Sequence, residues 1–102
     1  PSWVTIVLPE AKAVDTLVLT SANDADARDP ENFNLQASAD GGVSWINLAE
    51  WVGESFDSRL QRRQFSVGNT LAFDTYRLNI TKNKGDDTLM QIAEIELIGP
   101  EL

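Results

Sequence analysis

The stretch at residues 32–48, "NFNLQASADGGVSWINL", constrains the fold more than any other part of the chain. Phe33, Leu35, Ala37 and Ala39 alternate with Asn34, Gln36 and Ser38, the period of a strand with one dry face and one wet face. "DGG" at positions 40–42 then supplies the residues a tight turn needs, and "SWINL" resumes the apolar pattern, so an antiparallel hairpin is predicted. A lone hairpin cannot cover its own dry face, so further strands must pack on it.

Those strands are present as patterns at residues 3–8, 14–21, 62–67, 74–81 and 90–99, each rich in β-branched or aromatic residues and bounded by polar or Gly/Pro breaks. The alternation in the last of them breaks at Ala93 and Glu94, which predicts a bulge or a change of neighbour. No helical period competes. With 102 residues the chain has room for one core, so residues 1–102 are expected to form a single all-β domain, a jelly-roll β-sandwich of about seven or eight antiparallel strands. Trp3 and Trp45 lie within strand patterns and are expected in the core.

Where the chain reverses at each short connection, the compact turns 9–13, 40–43 and 68–72 fall at one end. The long connections 22–31, 49–61 and 82–89 then gather at the other. Sandwich domains commonly carry function on loops grouped in this way.

Charge excludes several partners. Sixteen acidic residues face eight basic ones, and a net charge of -8 repels nucleic acid and anionic membrane. The chain has no cysteine, hence no disulfide or thiolate metal site, and no histidine, hence neither the commonest general base nor the commonest zinc ligand. No apolar run approaches the roughly 18 to 20 residues of a membrane helix, and no signal segment opens the sequence, which reads as a mature or excised piece.

The long connections point to polyhydroxylated ligands. "AEWVGESFDSRLQ" sets Trp51 and Phe56 among acids, Ser and Arg59, a composition in which an aromatic face stacks on a sugar ring and polar groups meet its hydroxyls. Asn23, Asp24, Asp26, Arg28 and Asp29 in the first connection, with Asn83, Lys84, Asp86 and Asp87 in the third, offer such groups. The competing reading makes Trp51 and Phe56 lids on the core and Arg28 an internal clamp between Asp26 and Asp29. "NDADARD" spaces carboxylates like a calcium loop but lacks the glycine and closing glutamate of an EF-hand. Asn79-Ile80-Thr81 matches an N-glycosylation acceptor but lies inside a strand pattern. Glu50, Glu54 and Asp57 are the only candidates for an acid and base pair, and one loop would hold that geometry poorly.

Several segments together resemble a known family: "PSWVTIVL", "LTSANDADARDPENFNLQASADGGVSWINL", "ESFDSRLQRRQFSV" and "YRLNITKNKGDDTLMQIAEIELIG". They are similar to the discoidin, or coagulation factor 5/8 C-terminal type, domain, in particular its bacterial branch, the family 32 carbohydrate-binding modules. The resemblance implies a galactose-binding-like sandwich that binds glycans without hydrolysing them, as an appendage of a secreted carbohydrate-active enzyme. It implies a structural calcium held partly by the main-chain oxygen of Ala93 and the carboxylate of Glu94, its other ligands lying on a segment that family members carry before the equivalent of Pro1. Lacking that segment, a sheet edge would stay open to homodimerisation or strand exchange. The family's last loop often presents an aromatic residue, whereas "KNKGDDTLM" has none, so stacking falls to Trp51 or Phe56. The family's lipid-binding relatives use apolar spikes at this end, a mode the polar, acidic loops here argue against.

The expected function is therefore glycan binding at the long-loop end through Asn23, Asp26, Arg28, Trp51, Phe56, Arg59, Asn83 and Lys84, without catalysis, nucleic acid or membrane insertion. The alternative is a protein-interaction, adhesion or structural module of a larger extracellular protein.

Overall fold

A computed structural model describes residues 2–23, 28–83, 85 and 92–99. They form seven strands: β1 (Ser2–Ala13), β2 (Thr16–Ser21), β3 (Pro30–Ser38), β4 (Ile46–Trp51), β5 (Arg62–Ser66), β6 (Ala72–Asn83) and β7 (Ile92–Ile98). They pair antiparallel in two sheets, one ordered β1-β6-β3-β4 and the other β5-β2-β7. Among these strands, every connection except the β3–β4 hairpin passes from one sheet to the other, so the sheets close over a shared core.

Register explains which residues enter that core. Phe33 lies opposite Ile80, Leu35 opposite Leu78 and Ala37 opposite Tyr76, so three consecutive cross-strand pairs of β3 and β6 point inward together. Leu17 and Leu19 of β2 and Phe65 of β5 meet them from the other sheet. Each such side chain gains roughly 1.5–3 kcal/mol from burial, and the partners are too close-packed for a truncation to collapse harmlessly. The outer face of the three-stranded sheet is sealed differently. Val18 is fully buried beneath its flanking partners Gln64 and Glu96, and an Arg62–Glu96 ion pair of 3.2 Å spans the strand there.

The hairpin forms where the alternation predicts it. In the turn, Gly41 and Gly42 take positive φ, and Asp40 accepts bonds from Ser38 and Ser44. The irregularity expected near Ala93 is also present. Thr20 pairs with Glu94 and Ser21 with Ile92, leaving residue 93 as the extra residue of a bulge.

Two expectations fail. Residues 9–13 are not a turn: β1 runs through them to Ala13, with a register shift between Val7 and Lys12 that makes room for Pro9. Proline is tolerated there because β1 is an edge strand with no second ladder to feed. Nor are Trp3 and Trp45 core residues. Trp3 lies opposite Asn79, on the outward set of β1, and is 65% exposed, while Val4, Ile6 and Leu8 take the inward positions. Trp45 precedes β4 and lies half-buried, its ring 4.1 Å from the Arg77 guanidinium on the outer face.

Candidate functional site at the long-loop end

The connections after β2 and β4 meet at one end of the sandwich. Ser21 N–H donates to Gln61 O at 2.9 Å, Leu60 N–H to Ala22 O at 3.2 Å and Glu54 N–H to Glu31 O at 2.9 Å. The end of β6 joins them, with Asn83 paired opposite Pro30. The expected clustering of long connections therefore holds for the described residues.

One buried carboxylate organises this end. Asp29 is 1% exposed and accepts both guanidinium nitrogens of Arg59: NH1 at 2.9 Å on Oδ1, and NH2 on Oδ2. Arg59 NH1 also reaches Ala22 O at 3.3 Å, so one side chain ties the start and finish of the β2–β3 connection to the β4–β5 connection. A fork of planar donors suits this task better than a lysine would. Ser21 reinforces it, donating its hydroxyl to Ser58 O and accepting from Gln61 N–H, both at 2.9 Å. Gln61 in turn accepts from Asp57 N–H at 2.5 Å. Leu60 is forced to φ +55° between these anchors, a left-handed conformation rare for leucine.

A second knot lies beside the first. Arg63 occupies an inward position of edge strand β5, opposite Leu19, and caps the flank of the core instead of entering it. Its guanidinium sits 4.7 Å from the Phe65 ring centre and 5.8 Å from that of Phe56, pairs with Glu54 at 2.9 Å and donates to Ser55 O at 2.8 Å. Gly53 N–H donates to Asn32 Oδ1 at 2.9 Å, and Lys82 pairs with Glu31 at 2.8 Å.

The expected site residues separate into groups. Asn23 is exposed beside the clamp, and Arg28 and Asn83 are half-buried on the same end. Asp26 and Lys84 lie outside the described residues. Phe56 is 7% exposed and faces Arg63, so it is a core lid and no free stacking platform. Trp51 belongs to β4, which runs three residues beyond the sequence pattern, and its half-buried ring packs 5.3 Å from Phe33 and 5.4 Å from Phe65. Arg59, expected to touch ligand, clamps Asp29. The residues missing from the expected set, Ser21 and Gln61, act through contacts about 40 positions away, which no local pattern signals.

Glu50 lies on the outer face of β4 opposite Asn34, whereas Glu54 is drawn to Arg63 on the other sheet. Among the described residues no group of three acidic side chains is placed to hold a metal, and Glu94 is exposed beside the β7 bulge. No described helix is long and apolar enough to cross a membrane.

The two antiparallel sheets form a β-sandwich whose fold is shared with two solved structures. The family 32 carbohydrate-binding module from Streptococcus pneumoniae EndoD superposes with a TM-score of 0.75 at 16% identity, over 96% of this chain and 69% of that one. An F5/8 type C domain from Bacteroides fragilis superposes with a TM-score of 0.73 at 14% identity, over 93% of this chain and 62% of that one. In sequence, the chain is 31% identical over 83 residues to a peptide-N(4)-(N-acetyl-beta-glucosaminyl)asparagine amidase of Arabidopsis thaliana. That match takes in 78% of this chain and 11% of the plant protein, so the chain spans about a tenth of that relative. No family model matches the chain.

Proposed function

We propose that this domain is a non-catalytic glycan-binding module, held at the long-loop end of its sandwich and serving to bring a parent secreted carbohydrate-active protein to its glycan. The observation that carries this reading is the rigid cluster of long loops, locked by Asp29 and Arg59, on the fold shared with a carbohydrate-binding module. The sequence relative acts, by its name, on a glucosaminyl-asparagine linkage, which directs attention to glycans carried on protein asparagines. Asn23, Arg28 and Asn83 would make the polar contacts, Trp51 would offer the accessible part of its ring, and Arg59 would act as a positioning residue.

The test is an array of plant and bacterial polysaccharides and asparagine-linked glycans, probed with the chain and with its Asn83→Ala and Arg28→Ala variants. Binding by the parent chain that weakens about tenfold in either variant supports the assignment. Binding unchanged in both removes the loop end from the model. A second reading has its own observation: Val52 and Leu60 are 68% and 58% exposed on this end, as a protein contact would use them. Free sugar displaces a glycan target and leaves a protein contact intact.

A further inference from the structure

The outer face of the four-stranded sheet carries a registered array of amide side chains. Cross-strand pairing lines up Trp3, Asn79, Asn34 and Glu50 in one row, from β1 through β6 and β3 to β4. The next row, about 7 Å along the strands, is Thr5, Arg77, Gln36 and Asn47. Three strand spacings make each row about 14 Å long.

The middle of the array is fixed before any ligand arrives. Asn79 Nδ2 donates to Asn34 Oδ1 at 3.0 Å and to Gln36 Oε1 at 2.7 Å. Arg77 donates to Gln36 Oε1 from Nε at 3.1 Å and from NH2 at 2.9 Å. Trp45 covers the Arg77 guanidinium at 4.1 Å. This network engages the carbonyl oxygens of Asn34 and Gln36 and the amino group of Asn79. The amino groups of Asn34 and Gln36 and the carbonyl oxygen of Asn79 make no hydrogen bond among the described residues and stay accessible on this half-buried face. At the row's edge Trp3 keeps most of its indole in water.

We propose that this face is a second glycan-binding surface, separate from the loop end, which takes an extended neutral oligosaccharide lying across the strands. Donors and an acceptor held side by side match hydroxyl groups, which both donate and accept, and the exposed Trp3 indole offers a stacking face for one sugar ring. Charge selects the neutral class. The array's Arg77 and Glu50 cancel, on a chain whose net charge of -8 repels polyanions. The proposal shares its ligand class with the loop-end reading and none of its residues.

The two surfaces are read separately in one titration of the isotope-labelled chain, followed by NMR. The probes are cellohexaose, mannohexaose, xylohexaose and chitohexaose, with polygalacturonate as the charged comparison. The expected result is that at least one neutral hexaose moves the Trp3 indole and the Asn34 and Gln36 side-chain amide signals, and that Trp3→Ala weakens this binding about tenfold. Trp3 is exposed, so the variant retains the fold. Asn34→Asp, which replaces an outward amino group by a carboxylate oxygen, is expected to weaken it by a similar factor. The proposal is overturned if no neutral hexaose moves these signals, if Trp3→Ala binds unchanged, or if polygalacturonate binds there more tightly. Shifts confined to Asn23, Arg28 and Asn83 overturn the sheet-face site and leave the loop-end reading standing; shifts confined to the array do the reverse.

Discussion

The two ends of the sandwich are closed by different chemistry. At the short-turn end, the phenol of Tyr76 donates to Lys12 O and accepts from Val14 N–H at 3.2 Å. The Asn69 amide bonds Val14 O at 3.3 Å and both Leu71 backbone groups. Backbones pass so closely there that a Cβ on Gly99 would come within 1.9 Å of Ala13 O. The long-loop end instead depends on an ionic clamp, Asp29 with Arg59, joining segments 30 residues apart. Both ends are closed by groups far apart in sequence, but the short-turn end is joined through neutral hydrogen bonds and the long-loop end through a buried ion pair. A buried charge is an effective lock that fails badly when its partner is removed.

The variant that breaks this contrast most strongly is Arg59→Ala. It strands the Asp29 carboxylate without its fork, at a cost of about 3 kcal/mol, the lower part of the range for breaking a buried pair because Arg59 keeps nearly a third of its side chain in water. Urea unfolding measures the loss, and hydrogen exchange should show it concentrated in residues 21–31 and 54–61. A loss below about 1 kcal/mol would mean that water serves Asp29 as well as the arginine does.

Tyr76→Phe, at the opposite end, is expected to cost about 2 kcal/mol, because the buried Val14 N–H and the part-buried Lys12 O lose their partner together. Its pH dependence adds a second readout. Burial raises the Tyr76 phenol above its ordinary value of 10.0, so the contribution it makes is complete below pH 10.0 and is lost as pH rises through the folded value. Wild-type stability should therefore fall on the alkaline side, and the Tyr76→Phe variant should lack that fall.

A smaller change in the opposite direction is expected at Thr20. Its hydroxyl is buried with no hydrogen-bond partner among the described residues, one residue from the Ser21 hydroxyl that ties the long-loop end. Thr20→Val keeps the shape and removes the unsatisfied group, and should raise stability by up to about 1 kcal/mol. A loss of stability would show that the hydroxyl has a partner in solution.

The same contrast explains what the sequence could reveal. Strand patterns are local, so β3, the hairpin, β6 and the irregularity at residue 93 are all legible from alternation alone. Trp3 misleads because residue type suggests core while the period of two places it outside; the inward Val4, Ile6 and Leu8 were the better guide. Residues 9–13 mislead because a proline looks like a turn until one knows that β1 is an edge strand. At the loop end, Trp51 and Phe56 look like ligand platforms because their partners Phe33, Phe65 and Arg63 are brought to them only by folding. The Asp29–Arg59 clamp has no local signature at all, and Asn34, Gln36 and Asn79 become an array only once two strands distant in sequence are in register.

The smallest expected effect sharpens the comparison by asking whether the short-turn end uses charge at all. Asp40 is a carboxylate, but its partners lie within four residues: Ser38 Oγ donates at 2.6 Å to Oδ1, Ser44 Oγ at 2.6 Å to Oδ2, and Ser44 N–H at 2.9 Å to Oδ1. The Ser38 hydroxyl, then the Ser44 hydroxyl and amide, hold this carboxyl well below its ordinary value of 3.8. A depressed folded value contributes stability that is present above the unfolded value and lost as pH falls through the folded one. The difference between wild type and Asp40→Asn should therefore be constant near neutrality and shrink only on strong acidification, while the Asp40 carboxyl resonance stays that of the anion at pH values where free aspartate has already protonated. Because the turn sits in water and its bonds are local, the loss should be confined to the hairpin, without the wider opening expected of Arg59→Ala. An Asp40 that titrates at the ordinary value would mean that the turn is held by Gly41 and Gly42 alone and that the short-turn end makes no use of charge.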